Sequence, residues 1–137
     1  MKNIQKFTQV DIYPVISSEY CSGRNSVDVL KKIADGGAKI VQLREKNKTD
    51  LEYCALAQEF RKITSEYEML LIIDDRIDIA LAANADGVHL GQDDLPLYSA
   101  KKISSNLIIG ISTHNLDEAL MAQKEGADYI NIGPIFQ

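Results

Sequence analysis

The sequence predicts an α/β fold of the TIM (β/α)8-barrel type, present in part, with about six strands and five helices. Three observations carry this expectation. Apolar runs of strand length alternate with helix-like segments along the chain, the pattern of a parallel sheet with right-handed crossovers. Three of the runs echo one another: Gly37-Ala38-Lys39-Ile40-Val41-Gln42-Leu43, Asn84-Ala85-Asp86-Gly87-Val88-His89-Leu90 and Gly126-Ala127-Asp128-Tyr129-Ile130-Asn131-Ile132. They are the second, fourth and sixth strands in order, and alternate strands of a barrel supply the same interior layer. The echo sets Gln42, His89 and Asn131 at equivalent inward positions. It turns Val41, Leu43, Val88, Leu90, Ile130 and Ile132 outward, under helices. An interior polar near one end and an apolar exterior fit a barrel with a functional mouth better than a doubly wound sheet, whose strands are usually apolar on both faces.

The elements follow in order. Residues 11–17 read as a strand, with a loop containing Gly23 after it. Residues 26–35 read as a helix with Ser26 at its N-cap. Residues 39–44 form the second strand. Thr49-Asp50-Leu51-Glu52 is a capping box that opens a helix to about Glu66. Residues 70–74 form a strand, 76–83 a short helix, and 87–90 a strand. Pro96 suits the first turn of another helix. Residues 107–111 form a strand, Asn115-Leu116-Asp117-Glu118 caps a helix to about Glu125, and 129–132 form the last strand.

With 137 residues the chain has room for a single domain, residues 1–137, and a sizeable core. The composition, 45% hydrophobic and 26% charged, is that of a soluble globular protein. The net charge is −5 and the basic residues are scattered, so no nucleic-acid surface is indicated. The apolar stretches are too short and interrupted to span a membrane, and residues 1–10 lack the apolar core of a signal peptide. Cys21 and Cys54 have no metal-ligand spacing and read as free thiols in a reducing cytoplasm. A full barrel usually needs at least ~200 residues. The chain is therefore expected to be the N-terminal portion of a barrel, and its open sheet edges would allow association into a homo-oligomer.

Two apolar runs end in paired acids, Asp74-Asp75 and Asp93-Asp94. The carboxyl ends of parallel strands are where such folds build their sites, and acids gathered there suit Mg²⁺, which leaves room for phosphate oxygens. Three of these acids also have a plainer reading. Asp75 before Arg76-Ile77-Asp78 is a good N-cap, and Asp93 or Asp94 before Leu95-Pro96 would serve equally. Asp74, behind four apolar residues, has no such role. Gln42, Arg44 and Lys46 recur at every second position and so share one side of their strand. The two cations suit phosphate, Arg through paired N–H groups and Lys as a point charge; the alternative is a solvated strand end with Arg44 paired to a carboxylate. The hydroxyls of Ser112-Thr113-His114 would hold a phosphate or cap the helix near Asn115. His89 reads as a hydrogen-bonded interior residue. Nothing joins Ser112 and His114 in a nucleophile arrangement, which leaves acyl transfer without support. Gly91 and Gly133 leave room at strand ends.

Taken together, Val41-Gln42-Leu43-Arg44-Glu45-Lys46, Ile73-Asp74-Asp75-Arg76-Ile77-Asp78, Ala85-Asp86-Gly87-Val88-His89-Leu90-Gly91-Gln92-Asp93-Asp94, Ile111-Ser112-Thr113-His114 and the stretch from Gly126 to Phe136 resemble thiamine phosphate synthase. The resemblance covers nearly the whole chain. It implies a (β/α)8 transferase that joins a pyrimidine diphosphate to a thiazole phosphate and releases pyrophosphate. By position it implies that Gln42, Arg44, Lys46, Asp74, Ser112 and His114 bind substrate. Arg44, Lys46 and Ser112 are the implied catalytic groups, and Asp75 and Asp94 the ligands of Mg²⁺. Its implied partners are small phosphorylated pyrimidine and thiazole molecules.

Asp74 stands where the family usually has Asn. The family also continues past the sixth strand with a Thr- and Lys-containing loop and two further βα units, so this chain alone is expected to be poorly active. Two rivals remain. A thiazole tautomerase would use a His near position 114 as acid or base, but generally lacks the Gln92-x-Asp94 turn. A non-catalytic phosphate-binding or oligomerising barrel portion is the other.

Overall fold

A computed structural model describes residues 2–136. The chain forms one six-stranded, wholly parallel sheet with strands in sequence order. The strands are β1 (Val15–Ile16), β2 (Ile40–Leu43), β3 (Leu70–Asp74), β4 (Gly87–Leu90), β5 (Ile108–Thr113) and β6 (Tyr129–Ile132). The helices are α1 (Ile4–Phe7), α2 (Ser26–Asp35), α3 (Asp50–Glu66), α4 (Ile77–Ala82), α5 (Leu97–Ile103) and α6 (Leu116–Glu125). A single turn of 3₁₀ helix, Ser18–Tyr20, follows β1. The sheet curls into a half-barrel far enough for the Tyr13 and Tyr129 hydroxyls, which flank its two edges, to meet at 2.7 Å.

The two faces of the sheet divide as the echo requires. Val41, Leu43, Leu71, Ile73, Val88, Leu90, Ile109 and Ile111 turn outward and join one buried core with Leu30, Tyr53, Ala57, Phe60 and Ala80 of the helices. Inside the curve, Ile40, Leu70 and Ile72 form a smaller cluster covered by Phe7, Val10 and Tyr13. Polar residues occupy the other end of the interior, where Gln42, Asp74 and His89 are buried. Ile130 and Ile132 also turn outward but stay exposed, because no helix among the described residues follows β6 to cover them.

Local chemistry departs from expectation at several points. Asn25, not Ser26, caps α2: its side chain accepts from the Val27 and Asp28 N–H groups, while Ser26 is buried in the first turn. The first strand shrinks to two residues because Pro14 has no N–H to give and Asp11 turns back on the Ile12 N–H. Helix α1 has no periodic signal in the sequence; it rests on tertiary contacts, with Phe7 stacked on Tyr129 at 4.6 Å and Lys6 donating to the Glu68 carbonyl. The Thr49 side chain accepts from the Glu52 N–H at 3.2 Å, as the capping box requires.

Candidate active site

Inward positions recur with period two, so β2 to β6 lift polar side chains toward the carboxyl end. Gln42 and Arg44 rise from β2, Asp74 from β3, His89 from β4, Ser112 from β5 and Asn131 from β6. These six line a cavity of about 620 Å³. Gly110 leaves the floor open for an aromatic ring: a Cβ there would fall within the Tyr129 side chain.

At the rim, charge is concentrated. Lys46 donates to Asp74 at 2.9 Å and to Asp75, and Arg44 Nε lies 3.7 Å from Asp74 Oδ2. The Asp94 carboxyl lies beside that of Asp75, and its Oδ2 accepts from the Gly91 N–H at 2.6 Å. Neither acid caps a helix. Arg76 and Pro96 occupy the cap positions of α4 and α5, and no side-chain cap bond forms at either. Asp75 also adopts a left-handed backbone, φ +67°, which costs about 1 kcal/mol in a non-glycine residue and tends to mark functional sites. Its N–H donates to the His89 carbonyl, so the turn that aims its carboxylate at Lys46 is tied to β4.

Burial sets the protonation states. It pushes the Asp74 carboxyl up to about 6, against the opposing pull of Lys46 and Arg44. Burial also raises Asp94, and the Asp75 carboxylate beside it adds to the rise. Burial would raise Asp75 too, but hydrogen bonds from Asp94 and Lys46 outweigh it and hold that group low. Burial presses His89 down to about 4, so the ring is neutral at neutral pH.

The structure brings Gln42, Arg44, Asp74 and Ser112 into the cavity and gathers Lys46, Asp75 and Asp94 at its rim. His114 does not join them. Its side chain is half exposed and its Nδ1 lies 2.9 Å from Glu118 Oε2, on α6. Sequence reasoning missed Tyr13, Tyr53 and Tyr129. Tyr129 could have been found, since it lies two places before inward-facing Asn131. Tyr53 reads as plain core on the apolar face of α3, yet its hydroxyl donates to the carbonyls of Leu43 (3.0 Å) and Asp74 (2.9 Å) and so clamps the ends of β2 and β3 together. Gln92, singled out only as part of a turn, donates to the Ser112 carbonyl at 2.8 Å and ties that turn to β5.

Asp75 and Asp94 offer carboxylate oxygens, the donor type preferred by a hard divalent cation. No group of three or more His, Cys, Asp or Glu side chains with metal-holding geometry occurs among the described residues. A pair of carboxylates is nonetheless the share that Mg²⁺ usually takes from a protein when phosphate oxygens and water complete its shell.

A parallel half-barrel with cations and carboxylates interleaved at its carboxyl-end mouth defines a (β/α)-barrel protein with a charged site at its strand ends. The family model described as thiamine monophosphate synthase matches residues 12–137, and the chain belongs to that family. It is 44% identical over 126 residues to a thiamine-phosphate synthase of Shouchella clausii, covering 91% of this chain and 60% of that one. A relative of the same description from Pyrococcus horikoshii is 50% identical over 107 residues, covering 78% of this chain and 52% of its own. A solved thiamine phosphate pyrophosphorylase structure from Pyrococcus furiosus superposes with a TM-score of 0.84 at 42% identity, covering 90% of this chain and 60% of that one. The chain thus spans about 60% of the length of such relatives.

Proposed function

We propose that the chain carries the pyrimidine-diphosphate part of a thiamine phosphate synthase site. The reaction is the coupling of 4-amino-2-methyl-5-hydroxymethylpyrimidine diphosphate to 4-methyl-5-hydroxyethylthiazole phosphate with release of pyrophosphate. The observation that carries this reading is the meeting of three strand ends at one rim: Lys46 touches both Asp74 and Asp75, and Asp75 touches Asp94.

In this reading Arg44 grips the diphosphate through its forked N–H groups and Lys46 moves from its two carboxylates to a phosphate oxygen. Asp75 and Asp94 hold Mg²⁺, which when bound neutralises charge on the departing diphosphate. Gln42 and Ser112 orient the pyrimidine and the inner phosphate. Asp74, mostly ionised at neutral pH, has Arg44 and Lys46 beside it, and these cations offset its repulsion of the diphosphate. Breaking the carbon–oxygen bond leaves a pyrimidine carbocation that the thiazole nitrogen captures, so no protein nucleophile is needed; positioning supplies much of the rate. His114, turned to Glu118, has no part in it. The family membership and the two free cysteines fit work in the cytoplasm.

Pyrophosphate release from the two substrates, with and without Mg²⁺, tests the reading. Binding of the pyrimidine diphosphate by calorimetry separates a chain that binds without turnover from one that does neither. Mg²⁺-dependent binding that Arg44→Ala weakens is the expected outcome. Absence of both binding and release overturns the proposal.

A further inference from the structure

Beneath the rim, five polar side chains from five strands or their leading segments form one unbroken run of hydrogen bonds across the barrel interior. Gln42 Nε2 donates to Tyr13 Oη at 2.9 Å. Tyr13 Oη and Tyr129 Oη are 2.7 Å apart. Tyr129 Oη lies 2.9 Å from His89 Nδ1, and His89 Nε2 lies 2.8 Å from Ser112 Oγ. His89 is only 4% exposed.

Each hydroxyl has one proton and a neutral imidazole has one N–H, so the order of donors is constrained. Because Gln42 donates to Tyr13, the Tyr13 proton is free to go to Tyr129, the Tyr129 proton to His89 Nδ1, and the His89 N–H lies on Nε2 and goes to Ser112. Every donor then has an acceptor. In the reverse order His89 Nδ1–H would donate to Tyr129 and Tyr129 to Tyr13. The Tyr13 proton would then face the Gln42 NH₂, donor against donor, a clash that is costly in a buried site and that only a turn of the Gln42 amide would relieve.

We propose that Tyr13, Tyr129 and His89 are positioning residues that fix the Nε2–H tautomer of His89 and thereby leave the Ser112 hydroxyl proton free to donate into the cavity. The assignment of a ligand to Ser112 rests on the function proposed above; the tautomer does not. A serine oxygen already occupied as an acceptor presents its proton outward, which suits an anionic phosphate oxygen or a ring nitrogen and discriminates against a donor group. The run also explains why α1 and β6 matter to the mouth. Phe7 stacks on the Tyr129 ring, and Gly110 leaves the space in which that ring lies.

Nitrogen-15 NMR of the imidazoles in the full chain at neutral pH shows which ring nitrogen of His89 carries the proton. Three variants accompany the parent: Tyr129→Phe, Tyr13→Phe and Ser112→Ala. The expected result is Nε2–H in the parent and in Ser112→Ala, with Tyr129→Phe shifted to a mixture of tautomers. Tyr13→Phe releases Tyr129 from the direction set by the Gln42–Tyr13 bond and is expected to move part of the population to Nδ1–H, whereas Ser112→Ala leaves that direction in place and is the control; an unchanged ring in Tyr13→Phe removes Tyr13 from the positioning set. The Nδ1–H form in the parent overturns the proposal, and so does an unaltered tautomer in Tyr129→Phe or a switch in Ser112→Ala. Titration with inorganic pyrophosphate and Mg²⁺ adds a second readout. Tyr129→Phe is expected to raise the apparent Kd roughly 2- to 10-fold, the effect of one misaligned hydrogen bond. If the parent binds no pyrophosphate, the substrate reading fails while the NMR result still decides the tautomer.

Discussion

Asp74 and His89 are register partners on neighbouring strands, both buried, with opposite acid–base consequences. Asp74, raised from 3.8 to about 6, binds its proton more tightly when folded; its contribution is fully present at low pH and is lost as pH rises through that window. His89, lowered from 6.5 to about 4, binds its proton more tightly when unfolded; its contribution is present above 6.5 and is lost as pH falls toward 4. Each is worth roughly 1–3 kcal/mol and they offset between pH 4 and pH 6. Asp74→Asn should therefore uncover the histidine: its melting temperature should drop as pH falls from 6.5 to 4 more steeply than the parent's. Thermal scans across that range check it, and a parallel pair of curves would refute it. Arg44, Lys46, Asp75 and Tyr53 also face Asp74, so the variant's midpoint, not only its slope, will move. At the rim, Asp94→Ala should abolish Mg²⁺-dependent binding of the pyrimidine diphosphate while costing only about 1 kcal/mol of stability, the worth of its bond to the Gly91 N–H. Calorimetry and a denaturant curve on the same sample separate the two effects.

Individual helices and strands are held by specific groups that substitution can isolate. Asn25→Ala should cost about 1 kcal/mol by uncapping α2, whereas Ser26→Ala should cost less, since the Asn25 side chain holds the first-turn N–H groups. Urea midpoints of the two variants decide between them. Gly110→Ala forces the Tyr129 ring from its place on β6; a loss of about 1–3 kcal/mol is expected, with Phe7 unstacked as well. Tyr53 is a clamp between elements. Removing its hydroxyl frees the carboxyl ends of β2 and β3, from which Arg44 and Asp74 rise, so Tyr53→Phe should weaken diphosphate binding more than its stability loss alone would suggest.

The molecule as described is a sheet with two open edges. β1 and β6 each pair on one side only among the described residues, and next to β6 lie exposed Ile130, Ile132 (58% exposed) and Leu120. Unpaired strand edges flanked by apolar side chains recruit further strands. Light scattering should show an apparent mass that rises with concentration; a mass fixed at one chain over a hundredfold range would show that the edges are protected. No helix among the described residues is long and apolar enough to cross a membrane.

Alternation of strand and helix, the echo among residues 37–43, 84–90 and 126–132, and the period-two placement of Gln42, Arg44 and Lys46 were legible because each is a local periodicity, and backbone geometry translates it directly into a face. The acids were legible as strand-end groups, but whether they cap helices was not. For Asp75 that depends on whether it turns toward the Arg76 helix or back toward Lys46, and a left-handed backbone tied to β4 turns it to Lys46. Long-range partners lay beyond reach for the same reason. Nothing near Tyr53 in the chain marks two distant carbonyls as its acceptors, and nothing near residue 13 announces that its hydroxyl will meet Tyr129 across the curl of the sheet. Periodic burial is encoded in neighbours; the direction of a buried hydrogen bond and the protonation of a crowded carboxylate exist only once remote segments exclude water together.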